Sequence, residues 1–185
     1  MKENPILPDI ADSKILIVDD EPSLRMLLRE IVSPLGCQVT EAADGLEGLE
    51  ALKREPFDLA LIDIKMPRMS GLELVEKMEE VSPQTVKIIV TAYANTKHLM
   101  AAFKYNVTDF MPKPFEEPIL VVERIRKALM FKKNNDLLFA LARKVLMDRK
   151  PDMDWNEFDA LSNEERYRIL KGVADICNLK NSAHD

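Results

Sequence analysis

The sequence predicts an α/β fold in which helices flank a parallel β-sheet, followed by a smaller helical segment. Short apolar runs alternate with amphipathic stretches from Lys14 to about Phe131, which is the pattern of strands joined by crossover helices. Helix-start signals fall between the apolar runs, where such crossovers require them. The chain has 185 residues, of which 46% are hydrophobic and 31% charged. It is therefore long enough for one globular domain with a full core and an appendage.

Five segments are candidate strands. Three of them, residues 14–18, 59–62 and 86–90, are nearly continuous apolar runs, typical of central strands that are buried on both faces. Residues 38–42 alternate between polar and apolar types, which indicates an edge strand, and residues 109–111 form a short fifth run. Right-handed crossovers restrict the possible topologies, and the flavodoxin-like, doubly wound strand order 2-1-3-4-5 is the leading candidate.

Helix signals fill the gaps between these strands. Pro22 fits the first position of a helix, and Gly36 fits the stop of that helix. Asp44 and Ser70 are each followed three residues later by a glutamate, which is the spacing of a capping box. These and similar signals place predicted helix starts at Pro22, Gly45, Gly71, Asn95 and Pro118.

Polar residues interrupt the apolar pattern where the predicted strands end: Asp19 and Asp20 end the first, Asp63 ends the third, Thr91 ends the fourth and Lys113 follows the fifth. Because the carboxyl ends of parallel strands line one crevice, these side chains should converge. Two carboxylates about 4 Å apart repel by about 4 kcal/mol at an effective dielectric near 20. A cation must offset this repulsion. Lys113 and a hard divalent metal are the candidates, and a water-accessible site of oxygen ligands suits magnesium.

Each of these residues also has a purely structural interpretation when it is taken alone. An acid pair after a strand is commonly a helix cap, and a single strand-end aspartate such as Asp63 is commonly a turn residue. Thr91 could cap its own loop, and Lys113 could simply be solvated. The functional interpretation is favoured by the joint pattern, because independent turn chemistry would rarely place an acid pair, an acid, a hydroxyl and an amine, in that order, on four of the five strand ends.

Five short segments, residues 15–21, 61–67, 70–71, 90–92 and 113–115, resemble the receiver domain of two-component response regulators. The resemblance spans about Ser13 to Phe131. It implies that Asp63 accepts a phosphoryl group from the histidine of a sensor kinase or phosphotransfer protein. It also implies a signalling protein that assists its own phosphorylation and dephosphorylation, and not an enzyme.

The resemblance implies a magnesium ion beside the phosphoacceptor. Asp20 and Asp63 would bind Mg²⁺ directly, together with the backbone carbonyl of Lys65, and Asp19 would act through a metal-bound water.

It also implies a conformational switch. Thr91 and Phe110 resemble the family's switch pair, and Lys113 resembles the amine that contacts the phosphoryl group. The Lys113–Pro114 peptide bond resembles one that is cis in the family, and proline is the residue that tolerates a cis bond.

The domain organisation predicted from these patterns is an N-terminal extension (residues 1–12), a receiver domain (13–131) and a helical tail (132–185). Residues 132–136 are polar and form either a linker or an exposed turn in a continuing helix. Beyond them, three short helices are predicted. Their apolar positions are Leu137, Leu138, Leu141, Val145 and Leu146 in the first, Trp155, Phe158 and Leu161 in the second, and Ile169, Leu170, Val173 and Cys177 in the third.

Charge restricts the partners of this tail. The whole chain carries a net charge of -6, and residues 132–185 contain ten basic and ten acidic side chains. This balance lacks the basic excess of a nucleic-acid-binding surface, so we expect no DNA target. We predict a tail that contacts a downstream protein, with a second copy of the chain as one such partner. The alternative is RNA binding, because residues 146–149 with Phe158 and Leu161 resemble a three-helix antiterminator domain.

The cellular location follows from the absence of targeting signals. The first residues contain no apolar run of signal-peptide length, and no later segment approaches the ~18 apolar residues of a spanning helix. We therefore expect a cytoplasmic protein without membrane contacts. Cys37 and Cys177 lack metal-site spacing and are expected to be reduced.

Overall fold

The structure, a computed structural model, describes residues 10–92, 104–115 and 117–149. The chain divides into two compact units, residues 1–132 and residues 133–185. The predicted extents of the N-terminal extension, the receiver and the tail stay predictions, because residues 1–9 and 150–185 lie outside the described part of the chain.

The described strands form one parallel sheet with the order β2-β1-β3-β4-β5, which confirms the predicted topology. The strands are β1 (Lys14–Val18), β2 (Gln38–Ala42), β3 (Leu59–Ile62), β4 (Val86–Thr91) and β5 (Asp109–Pro112). The helices are α1 (Pro22–Val32), α2 (Gly45–Arg54), α3 (Gly71–Val81) and α4 (Pro118–Arg149). The helix predicted to start at Asn95 lies outside the described residues.

The sheet separates two apolar layers, because successive side chains of a strand point to opposite faces. On one face, alternate residues of β1 such as Ile15 and Ile17 pack with residues of α1 and α4. On the other face, Leu16 and Val18 pack with residues of α2 and α3. Every residue of β3 and β4 is buried, whereas β2 has only one buried residue, as predicted for central and edge strands. The sheet is thus a rigid support for the loops at its carboxyl edge.

Local capping explains where α2 and α3 begin. The Asp44 side chain accepts hydrogen bonds from the backbone N–H groups of Leu46 and Glu47. Ser70 and Glu73 form a complete capping box. The starts of α2 and α3 are therefore confirmed at the predicted residues.

The first helix ends earlier than predicted. It stops at Val32 and tightens into a 3-10 turn over residues 33–35, ahead of Gly36 with φ +73°. Pro34 has no backbone N–H to continue the α-helical hydrogen bonds, which accounts for the tighter turn. Gly36 is therefore a stop for the turn and not for the α-helix itself.

The last described helix, α4, begins at Pro118 as predicted and continues to Arg149. Of the two alternatives for residues 132–136, the continuing helix is correct and the linker is wrong. The first of the three predicted tail helices is consequently the end of α4 and not a separate helix. The helices predicted around Trp155 and Ile169 lie outside the described residues.

Within the described residues, the structure contains no helix with the length and hydropathy that crossing a membrane requires.

Candidate functional site

The carboxyl edge of the sheet brings together the ends of β1, β3, β4 and β5. Val18 pairs with Ile62 across β1 and β3, so Asp19 and Asp63 leave neighbouring strands at the same level. The N–H of Asp63 donates to the carbonyl of Val18 at 2.9 Å. The N–H of Lys113 donates to the carbonyl of Thr91 at 3.1 Å. The strand ladder thus continues one residue past the apolar runs and fixes where these polar residues leave the sheet.

Lys113 lies between two buried carboxylates. Its Nζ donates to Oδ2 of Asp19 at 2.6 Å and lies 3.0 Å from Oδ1 of Asp63. Asp19 is 1% exposed and Asp63 is 5% exposed. One ammonium group therefore neutralises part of the charge of two desolvated acids, and the residues involved come from three different strand ends.

The pKa values of Asp63 and Lys113 both differ from their ordinary values. Burial raises the pKa of Asp63, and the neighbouring Asp19 carboxylate raises it further, against the lowering effect of Lys113. Burial alone would lower the pKa of Lys113, but its hydrogen bonds to Asp19 and Asp63 outweigh this and raise it above its ordinary value. Lys113 therefore stays cationic near neutral pH, while Asp63 would be stabilised by additional positive charge.

The β3–α3 loop, which we define as residues 64–70, wraps around the other side of Asp63. The Lys65 N–H donates to Oδ2 of Asp63 at 2.8 Å. The N–H of Gly71 donates to the carbonyl of Ile64 at 3.0 Å. A Cβ on Gly71 would lie 2.0 Å from the carbonyl oxygen of Asp63, so only glycine permits this approach. The start of α3 is thereby fixed directly against the backbone of the acid.

The two acids of the Asp19–Asp20 pair have different environments. Asp19 accepts the N–H of Glu21 on Oδ1 at 3.0 Å, and its carbonyl accepts from Nη1 of Arg25 at 2.7 Å. Asp20 is exposed. The N-cap of α1 is Glu21 and forms no side-chain cap hydrogen bond, so the capping interpretation of the acid pair is wrong. Asp19 instead contacts the Glu21 N–H and Lys113.

Thr91 and Phe110, the residues that resemble a switch pair, lie on neighbouring strands. Thr91 is buried at the end of β4. Phe110 is half-buried in β5 and packs against the apolar layer of α2 and α3. The Lys113–Pro114 peptide bond is cis, as the resemblance implies. The switching role of these two side chains stays a prediction.

The donor chemistry of the site fits a hard divalent cation. Asp19, Asp20, Asp63 and the Lys65 carbonyl are oxygen donors, which Mg²⁺ prefers, and Mg²⁺ usually keeps several water ligands besides its protein ligands. In the described part of the chain, no three acidic, histidine or cysteine side chains already converge as a metal-binding cluster.

Sequence reasoning missed two ion pairs, one beside this site and one near the other end of the sheet. Arg68 of the β3–α3 loop pairs with Asp44 and Glu47 of α2, where the sequence indicated only a helix cap. Lys87, inside the apolar run of β4, is buried and pairs with Glu79 of α3. A lysine within an otherwise apolar strand was the available signal for the second pair; nothing local signalled the first.

Comparison with known proteins agrees with this geometry. The family model of the response regulator receiver domain matches residues 15–126. The chain is 40% identical over 103 residues to the response regulator protein PilR of Pseudomonas aeruginosa, covering 56% of this chain and only 23% of PilR. It is 34% identical to sporulation initiation phosphotransferase F of Bacillus subtilis, covering 64% of this chain and 91% of that protein. A CheY-like receiver domain structure from Methanospirillum hungatei superimposes with a TM-score of 0.64 at 34% identity, covering 66% of this chain and 98% of that one.

Proposed function

Because this chain belongs to the response regulator receiver domain family, we propose that it accepts a phosphoryl group on Asp63 from the histidine of a sensor kinase or phosphotransfer protein. Receiver domains are two-component signalling proteins and not classical enzymes. The observation that carries the proposal is the position of Lys113, whose Nζ lies 2.6 Å from Asp19 and 3.0 Å from Asp63. This arrangement presents a buried acceptor acid beside a cation and a second acid.

Phosphoryl transfer to Asp63 needs positioning and charge neutralisation more than covalent help from the protein. A carboxylate oxygen of Asp63 forms the new P–O bond while the P–N bond of the phosphohistidine breaks, and the histidine nitrogen recovers a proton. Lys113 offsets negative charge on the phosphoryl oxygens. Mg²⁺, held by Asp20, Asp63 and the Lys65 carbonyl, with Asp19 acting through water, would supply the remaining positive charge.

The acyl phosphate would act on the switch pair. Its added oxygens accept a hydrogen bond from the Thr91 hydroxyl, which draws this side chain inward. The space that Thr91 leaves is then available to Phe110, which is half-buried in the neighbouring strand. Such a change is a local electrostatic event that biases a two-state element.

Lys113→Ala is expected to slow labelling of Asp63 by acetyl phosphate without abolishing it. Removal of one preorganised donor at a developing charge costs roughly a hundredfold in rate. The rate is measured by mass spectrometry at fixed Mg²⁺ concentration. Lys14→Ala is the matched control, because Lys14 pairs with Glu55 at the opposite end of β1. Equal labelling rates in Lys113→Ala and Lys14→Ala would contradict the role of Lys113.

The tail is proposed to contact proteins. In α4, the side chains of Leu137, Leu138 and Leu141 are exposed. Apolar side chains at helical spacing can bury against another helix, including the same helix of a second copy of the chain. The equal numbers of acidic and basic residues in 132–185 give no electrostatic footprint for a phosphate backbone.

We expect fluoroberyllate, a mimic of the phosphoryl group, to increase the molar mass of the full chain in light scattering. Leu138→Glu with Leu141→Glu should prevent this increase, because charges on this helix face disfavour its burial. Lys133→Glu is the control. It introduces a glutamate elsewhere on α4, at a half-buried lysine outside this set of exposed leucines, and should leave assembly intact.

Fluorescence anisotropy with a structured RNA tests the alternative. Binding at micromolar concentration that weakens steeply with added salt would contradict the protein-contact proposal and favour the antiterminator interpretation.

A further inference from the structure

The β3–α3 loop is attached to the start of α2 by side-chain and backbone contacts. Arg68 donates to the Asp44 carboxylate, and its Nη2 also donates to Oε1 of Glu47 at 2.8 Å. Beside these ion pairs, the N–H of Gly45 donates to the carbonyl of Met69 at 3.1 Å. Two consecutive loop residues are therefore joined to the first turn of a neighbouring helix.

Arg68 adopts a backbone conformation that its side chain alone does not favour. Its φ is +63°, in the left-handed region where glycine is the usual residue. Such a conformation persists when the surrounding contacts over-determine it. The ion pairs with Asp44 and Glu47 are contacts of that kind, so the arginine side chain provides a reason for the conformation of its own backbone.

Asp44 is a buried anchor for this loop. Its side chain is 2% exposed, whereas that of Arg68 is 52% exposed. Burial raises the pKa of Asp44, but hydrogen bonds from the Glu47 N–H and from Arg68 outweigh this and hold the pKa below its ordinary value. The carboxylate therefore stays charged and remains available to the guanidinium.

The same loop forms one wall of the acidic site. Its residue Lys65 donates its N–H to Oδ2 of Asp63 at 2.8 Å, and Lys65 lies only three residues before Arg68. The far end of the loop is fixed by Gly71, whose N–H donates to the Ile64 carbonyl at 3.0 Å. Arg68 is thus the middle attachment of a short segment whose first residues contact the Asp63 carboxylate and whose end is held at the carbonyl of Ile64.

We propose that Arg68 is a positioning residue that clamps the β3–α3 loop to α2 and thereby sets the affinity of the acidic site for Mg²⁺. It acts through the placement of Lys65 and Asp63 and does not touch the metal. The inference rests on the proposed function for the presence of the metal at this site. It goes beyond that function because it assigns control of the site to an ion pair outside it.

The test is a titration of the full chain with MgCl₂, followed by the amide chemical shifts of the site in NMR spectra. Arg68→Gly removes both ion pairs and suits the positive φ, so the fold is preserved. We expect its Mg²⁺ affinity to fall roughly tenfold, as when other supporting residues around a metal site are removed. Arg68→Lys, which retains one positive charge, should recover part of the affinity. Lys53→Ala is the control, because it removes an ion pair on the same helix from a side chain of similar exposure (49%).

Arg68→Ala separates positioning from stability. It loses the same ion pairs as Arg68→Gly but keeps the unfavourable backbone conformation, so its melting temperature should be lower while its Mg²⁺ affinity matches that of Arg68→Gly. An affinity of Arg68→Gly equal to that of Lys53→Ala would overturn the inference. An affinity that follows the melting temperature through the series would overturn it as well.

The Mg²⁺ titration and the labelling of Asp63 are separate measurements, so the clamp and the proposed function can fail separately. If Arg68→Gly weakens Mg²⁺ binding but the wild-type chain is never labelled on Asp63, the clamp stands and the proposed function fails. If the wild type is labelled on Asp63 and Arg68→Gly binds Mg²⁺ normally, only the clamp fails.

Discussion

Asp63→Asn should abolish labelling of the chain by acetyl phosphate, the largest effect that we expect from any single substitution. Asparagine nearly keeps the shape of the aspartate but presents no carboxylate oxygen to attack phosphorus. Asp63 is also the buried acid that faces both Asp19 and Lys113, so no neighbouring acid has the same surroundings. The site of the label is mapped by mass spectrometry after incubation with Mg²⁺, and chelation of the metal should reduce wild-type labelling to the level of Asp63→Asn.

Asp58→Asn is the matched control for this substitution. Asp58 precedes β3 at its other end, where its Oδ2 accepts the N–H of Lys14 at 2.8 Å. Asp58 and Asp63 therefore flank the same strand, but Asp58 lies at the end away from the carboxyl edge of the sheet. We expect wild-type labelling in Asp58→Asn. Undiminished labelling of Asp63→Asn, or full labelling with the metal chelated, would falsify the assignment of Asp63.

The pH dependence of stability shows whether Asp63→Asn is folded when its labelling is lost. Burial and the neighbouring Asp19 raise the pKa of Asp63, so the folded protein holds this proton more tightly than the unfolded chain does. Ionisation of Asp63 therefore lowers stability as pH rises above the ordinary value of 3.8, and the full loss is present above the raised pKa. Asparagine avoids the loss. Without Mg²⁺, Asp63→Asn should melt at a higher temperature than the wild type at pH 7, with a difference that shrinks towards pH 3.8.

The fold was predictable because its signals are local. The apolar runs of β1, β3 and β4 and the caps at Asp44 and Ser70 lie within a few residues of the elements they define. The strand ends then determine the site, because a parallel sheet places the residues after its strands at one edge. That rule alone predicts that Asp19, Asp63 and Lys113 converge, although Asp19 and Lys113 are 94 residues apart.

The unpredicted features depend on tertiary contacts. Arg68 and Asp44 are 24 residues apart in two different connections, and their pairing follows from the way α2 and the β3–α3 loop meet. Lys87 is similar, because an apolar strand pattern does not reveal that Glu79 of α3 reaches its ammonium group. A pattern with period 2 or 3.6 identifies which face of an element is buried but not which charged side chain lies opposite.

Gly71→Ala should destabilise the protein more than any other glycine-to-alanine change in the described helices. The new Cβ would lie 2.0 Å from the carbonyl oxygen of Asp63 and 2.8 Å from its carbonyl carbon, and these are backbone atoms that cannot turn away. The start of α3 or the end of β3 must move, at a cost of about 3 kcal/mol in the free energy of unfolding. Because the displaced residue is the proposed phosphoacceptor, labelling should also slow. Urea denaturation and acetyl phosphate labelling measure the two effects.

Gly48→Ala in α2 is the matched control for Gly71→Ala. Its Cβ would meet only side-chain atoms of Leu74 and Val18, at 3.1 Å, and these can shift by a few tenths of an ångström. Alanine also favours a helix interior over glycine by about 1 kcal/mol, which offsets this crowding. We therefore expect Gly48→Ala to remain within about 1 kcal/mol of the wild type and to be labelled normally. If the two variants were equally stable, the backbone contact between Gly71 and Asp63 would not constrain the site, and the placement of the β3–α3 loop against the acid would be wrong.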